Sequence, residues 1–229
     1  MGEDGYVGNR VDLIDHTVLT RIEIAILNMI TTNMIVKISA IIIMAVFYAA
    51  YLGKKFFQKM QGVKTNQIAV GNKPRNVIMV EKIMGVATFT VIPVEILSIA
   101  LSPKLTLIPN LRDCIPMQIA GVAIAALGVL IFIVAMLTMA DSWRAGIPEK
   151  DRTAFVQHGI YRISRNPAFV GFDLMYIGLL VAFPNVIHLV CALFAAVMLH
   201  LQILNEEKFC AEVFGKEYEE YKMKVRRYL

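Results

Sequence analysis

Cysteine is scarce in this 229-residue chain, where Cys114, Cys191 and Cys210 are the only three. An odd number without metal-ligand spacing argues against a disulfide framework or a thiolate site, and leaves them as small apolar fillers. The four histidines form no metal-ligating cluster either, so no metal is expected. Charge is also thin. Only 18% of residues are Asp, Glu, Lys or Arg, and they gather between long apolar blocks, which excludes an ordinary soluble domain. Internal repeats and low-complexity tracts are missing. The first residues, MGEDGYVGNRVDLIDH, carry acids where a secretory signal carries bases, and no apolar core follows at once. Tyr6 stands where a myristoylation site wants Ser or Thr.

What the chain has in quantity is hydrocarbon. Hydrophobic residues make up 57%, and the mean hydropathy is +0.61. A bilayer core about 30 Å thick takes roughly 20 helical residues to cross. Blocks near that length lie at about 36–52, 77–101, 115–140 and 186–204, with a shorter one at 169–183. The expected fold is all-α: a polytopic helical membrane protein with about five transmembrane helices and a cytosolic C-terminal cap. Residues 11–32 show apolar positions near helical spacing and are expected to form an interfacial helix before span one. Residues 1–140 then hold that segment and three spans, and residues 141–229 hold a helical hairpin, the tail and the functional core.

Lysine and arginine sort with this layout. Segments 53–76, 141–168 and 205–229 carry 17 of them, whereas the other side has Arg10, Arg21, Lys104 and Arg112. The positive-inside rule puts the basic segments and the C-terminus in the cytosol and the N-terminus outside. Five spans without repeats offer no alternating halves, which disfavours a transporter.

The stretch HGIYRISRNPAFVGF, 158–172, is unlike its surroundings. Asn166 and Pro167 suit the N-cap and first turn of the short fourth span. As a plain helix start, its arginines would bind lipid phosphates. As a site, the free N–H groups and positive dipole end would hold an anion beside Arg162 and Arg165. The tight PN break at 184–185 folds spans four and five into a hairpin, which brings Glu206 and Glu207 toward Arg165. Donors on one wall and paired carboxylates on the other would suit a zwitterion such as an amino-acid moiety. Beyond them, Tyr218, Tyr221 and Val225 share a helical face, as an amphipathic lid or an interfacial anchor.

GIYRISRNPAFVG, a helical hairpin, NEEKF and GKEYEEYKMKV together resemble the C-terminal core of the isoprenylcysteine carboxyl methyltransferase and phospholipid methyltransferase superfamily, over about residues 156–226. The resemblance implies an integral membrane methyltransferase that uses S-adenosylmethionine. It puts His158, Gly159, Tyr161, Arg165, Asn166 and Pro167 on one wall of the cofactor site and Glu206 and Glu207 on the other, with one carboxylate taking the cofactor's ammonium. Two positions depart from the family pattern: Asn166 replaces the usual His, and Phe169 the usual Tyr.

The acceptor would be lipophilic or amphipathic and enter from the bilayer. Asp173, roughly 9 Å into span four, is an intramembrane carboxylate and a candidate for substrate contact and catalysis, alongside Arg165 and Glu207. Trp143 and Arg144 could gate the pocket or anchor the interface. Glu81 and Lys82 are expected to snorkel. Membrane lipids are expected partners, nucleic acid is not, and the oligomeric state stays open. The competing readings are an NADPH-dependent sterol-type reductase and a non-catalytic protein that binds lipid or cofactor.

Overall fold

The computed structural model describes residues 5–102, 114–147 and 154–229, with side chains from residue 18 onward. Its order is α1 (Gly5–Met60), α2 (Arg75–Leu101), α3 (Ile115–Met139), α4 (Pro167–Ala182), α5 (Val186–Phe214) and α6 (Lys216–Lys224). Within apolar runs of this kind the backbone has no water to bond, so each segment satisfies its N–H and C=O groups internally as helix. Four helices are long and apolar enough to cross a bilayer, and α4 is a shorter apolar helix of 16 residues. The chain is an all-α polytopic membrane protein, as its apolar blocks predict.

The start of the chain differs from expectation. The interfacial helix and span one are a single helix of 56 residues, about 84 Å long at helical rise. No glycine or proline falls between residues 9 and 52, so nothing interrupts it. Val36, Ala40, Met44 and Phe47, at helical spacing, bury one face against the bundle. Residues 18–30, by contrast, are exposed throughout.

The bundle has two main seams. Along α3 and α4 the contact is backbone to backbone. A Cβ on Gly178 would lie 2.3 Å from the Ala125 nitrogen, and one on Gly121 would lie 2.5 Å from the Ala182 nitrogen. Gly128 and Gly171 approach each other's carbonyl oxygens equally closely, their added Cβ atoms falling at 2.7 Å. Small residues are what permit such proximity in lipid, where packing rather than water expulsion holds helices together. The second seam, α2 against α5, is pinned by polar groups. Asn185 caps α5 by accepting from the His188 N–H at 2.9 Å, and its amide donates to Ser98 Oγ at 2.7 Å.

Two loops close the polar end of the bundle. The 61–74 loop folds back onto residues 143–147: Gln67 donates its N–H to the Ala145 carbonyl at 2.7 Å, and Ala145 returns one to Thr65 at 3.0 Å. Glu81 organises the join. Its carboxylate accepts from the N–H groups of Ala69 and Ile147 and from Lys73 Nζ. The Lys73–Glu81 pair is buried, with side chains 4% and 0% exposed. Glu81 therefore does not snorkel: loop 61–74 supplies inside the protein the partners it would otherwise seek in water. Lys82, the next residue and turned about 100° round the helix, is exposed.

Candidate functional site

A cavity of about 640 Å³ opens at this end, lined by residues from α1 to α6 and both loops. It has two lobes. The one that reaches into the bundle is aromatic: Phe47 meets Phe132 and Phe172 with ring centroids 4.6 and 4.7 Å apart, and Tyr51 meets the buried Trp143 edge-on at 5.6 Å. The other lies between the start of α4, the end of α5 and α6, and carries Tyr161, Arg165, Asn166, Gln202, Glu206 and Glu207 on its wall.

Local sequence explains the polar wall. His158 is extended and its carbonyl accepts the Tyr161 N–H, which starts a tight 3-10 turn over Gly159–Arg162. Gly159 has φ +59°, and a Cβ there would press against Thr138 at 3.0 Å, so glycine suits the position. Pro167 occupies the first turn of α4, as expected. Asn166 does not cap α4 with its side chain. Its amide instead donates to Glu207 Oε1 at 3.1 Å and to the Arg227 carbonyl at 3.2 Å, while its own N–H goes to Ser164 Oγ. A stronger acceptor across the site outcompetes the local cap.

Adjacent carboxylates have different lives here. Glu207 is saturated: Arg165 reaches it at 2.7 Å, Arg227 at 2.8 Å, and Asn166 adds a third donor. Arg165 also donates to the Val225 carbonyl at 2.6 Å, and the Arg165 N–H to the Arg226 carbonyl. These bonds fasten the C-terminal tail over the start of α4. Glu206 has Gln202 as its one hydrogen-bond partner among the described residues, at 3.0 Å. Of the two, Glu206 keeps capacity to accept from a ligand.

The lid is α6. Gly215, φ +54°, breaks the long α5, and α6 turns back to bury Tyr218 and Tyr221. Tyr221 donates to the Tyr161 carbonyl at 2.6 Å; burial pushes its pKa up to about 12, so it holds that proton through the physiological range. Burial raises Tyr161 likewise. Phe155 stacks on Phe214 at 4.7 Å and meets Tyr221 edge-on, which gives this lobe an aromatic flank. Of the two readings of the tail, its tyrosines pack inward as a lid.

The structure gathers Tyr161, Arg165, Asn166, Glu206 and Glu207 around one lobe, with Trp143 and Arg144 on the same cavity. Arg144 donates to the carbonyls of Asp141 and Trp143. His158, Gly159, Pro167 and Asp173 are outside the lining. His158 is exposed and Pro167 buried behind the wall. Asp173 lies within electrostatic reach of Tyr228 and of the cavity's Tyr176, and its Oδ1 is buried without a partner among the described residues. Sequence reasoning passed over Arg227, Gln202 and Phe155. A tail arginine reads as an interfacial charge until the tail is folded back, and no local pattern marks it. Among the described residues no group of three His, Cys, Asp or Glu side chains could hold a metal ion.

Fold and cavity define a class: an integral membrane protein with a cavity that is aromatic inside the bundle and charged toward the loops. Residues 116–217 match the family model described as phospholipid methyltransferase. A probable protein-S-isoprenylcysteine O-methyltransferase from Oryza sativa subsp. indica is 31% identical over 124 residues, covering 52% of this chain and 64% of that protein; one from subsp. japonica matches to the same extent. The chain thus spans under two thirds of the length of these curated relatives. Over the matched region the chain resembles phospholipid methyltransferases and isoprenylcysteine O-methyltransferases.

Proposed function

We propose that this protein transfers a methyl group from S-adenosylmethionine to a lipophilic or amphipathic acceptor at the cytosolic membrane face. The observation that carries the reading is one continuous cavity with an aromatic lobe inside the bundle and a polar lobe at its end.

The residues present fit the cofactor. Glu206 is a carboxylate on the cavity wall with a single described partner, suited to an ammonium group. Ala168 and Phe169 bring the first turn of α4 to the same wall, where unpaired N–H groups and the helix dipole favour a carboxylate. The aromatic flank of Phe155, Phe214 and Tyr221 offers faces for a planar base. Arg165 and Glu207 act chiefly by holding the tail as the site's outer wall. When bound, the cofactor supplies an electrophilic methyl on a sulfonium. The chain's part is to align that methyl with the acceptor and to keep water out. A general base is needed only for an amine or a poorly ionised thiol.

Orientation and division belong to the same proposal. The excess of basic residues puts the loop end and the C-terminus in the cytosol and the N-terminus outside. Residues 1–140 supply most of the membrane lobe, and 141–229 the cofactor core.

Calorimetry with S-adenosylmethionine and S-adenosylhomocysteine on the purified full chain tests this, with NADPH as the control. Binding weakened at least tenfold by Glu206→Gln, with NADPH silent, is the expected result. No binding to folded protein refutes the methyltransferase, and heat with NADPH alone would favour the reductase.

A further inference from the structure

The aromatic lobe does not end in hydrocarbon. From Met84 to Ile92 its lining follows α2 over about 12 Å at helical rise, and it includes the rings of Tyr48 of α1 and Tyr176 of α4. One turn beyond Ile92, just past the cavity's lining, sits Glu95, which is 0% exposed. Both carboxyl oxygens of Glu95 and the hydroxyls of Tyr48 and Tyr176 are buried without a hydrogen-bond partner among the described residues. The three groups lie within electrostatic reach of one another. Three helices thus aim oxygen-bearing side chains at one place in the apolar interior, and none satisfies another.

In a membrane such groups are costly unless something bonds to them. A plain alkyl or prenyl terminus pressed against them would leave all of them unsatisfied. A hydroxyl would not, since it offers one donor and two acceptor positions and so serves Glu95 ionised or protonated, and both phenols as well. We infer that Glu95, Tyr48 and Tyr176 form an end-stop that receives a hydroxyl on the membrane-buried terminus of the acceptor. The acceptor is then polar at both ends: one end meets the methyl donor in the outer lobe, and the other hydrogen-bonds about 12 Å deeper. This rests on the acceptor occupying the aromatic lobe, as in the function proposed above. It adds a specificity that neither lipophilicity nor cavity size supplies.

The test compares decanoate with ω-hydroxydecanoate, two probes of equal chain length whose carboxylate avoids Glu95 and so fixes their orientation. Their affinities for the purified full chain are measured calorimetrically without cofactor. The hydroxylated probe should bind the wild type about tenfold more tightly, the effect of one well-made bond to a buried group. Glu95→Gln and Tyr176→Phe should each shrink that preference, and the double variant should bring it to unity or reverse it. S-adenosylhomocysteine binding by the same variants reports that they are folded and should be unchanged. Equal or tighter binding of decanoate to the wild type, binding of neither probe, or a preference that survives both substitutions overturns the end-stop and leaves the oxygens to an enclosed water. Because the probes are read without cofactor, a failure here and a failure to bind S-adenosylmethionine are separate results.

Discussion

The α3–α4 seam and the tail latch hold the protein in opposite ways. The seam has no charge in it: four glycines let two backbones touch, and its strength is the absence of side chains. The latch is nearly all charge and hydrogen bond, with Glu207 drawing Arg165, Asn166 and Arg227 together. One is unforgiving to an added atom and the other to a removed one. In lipid, close packing does the work that water expulsion does elsewhere, so the seam belongs to the membrane and the latch to its edge.

Gly178→Leu should break the contrast at its stronger side. Even a single Cβ falls 2.3 Å from a backbone nitrogen, so a larger side chain should leave no folded protein on size-exclusion chromatography. Glu207→Ala comes next. It strands two guanidinium groups and an amide, and should lower stability by about 3 kcal/mol in a detergent unfolding titration. Proteolysis of the tail should accelerate in the same variant. Arg227→Ala removes only the partner that is 34% exposed and leaves Arg165 in place, so a loss of about 1 kcal/mol is expected in that titration. Lys208→Ala sets the floor. Its pair with Glu212 spans 4.0 Å between largely exposed side chains, and the melting curve should move by no more than about 0.5 kcal/mol. A Lys208 effect as large as that of Arg227 would show that the latch is ordinary surface charge.

Much of this was legible in the residues. Apolar run length placed α2, α3 and α5, and the PN break with Asn166-Pro167 placed the hairpin that sets Arg165 beside the acidic pair. Other features were visible but unread. Gly121 and Gly128, and Gly171 and Gly178, repeat at seven-residue spacing on facing helices, which is the pattern of a close seam. The run without glycine or proline from residue 9 to 52 already stated that α1 is one helix. The division of labour between Glu206 and Glu207 was not legible. Neighbours on a helix point about 100° apart, and which of them meets the tail depends on where Arg227 folds back. The burial of Glu81 was hidden for the same reason, since its partners Ala69, Lys73 and Ile147 come from loops that local pattern cannot place.

The glycine seam also decides what can move. Two helices whose backbones touch have no side-chain cushion to slide on, so α3 and α4 behave as one stiff frame that carries Trp143 at one margin of the cavity and Arg165 at the other. A guest entering from the bilayer cannot part that frame. Admission would then fall to α1, whose residues 18–30 are exposed throughout, and to the loop that Glu81 ties down, so the chain's stiffness at one seam would assign the doorway to the other side.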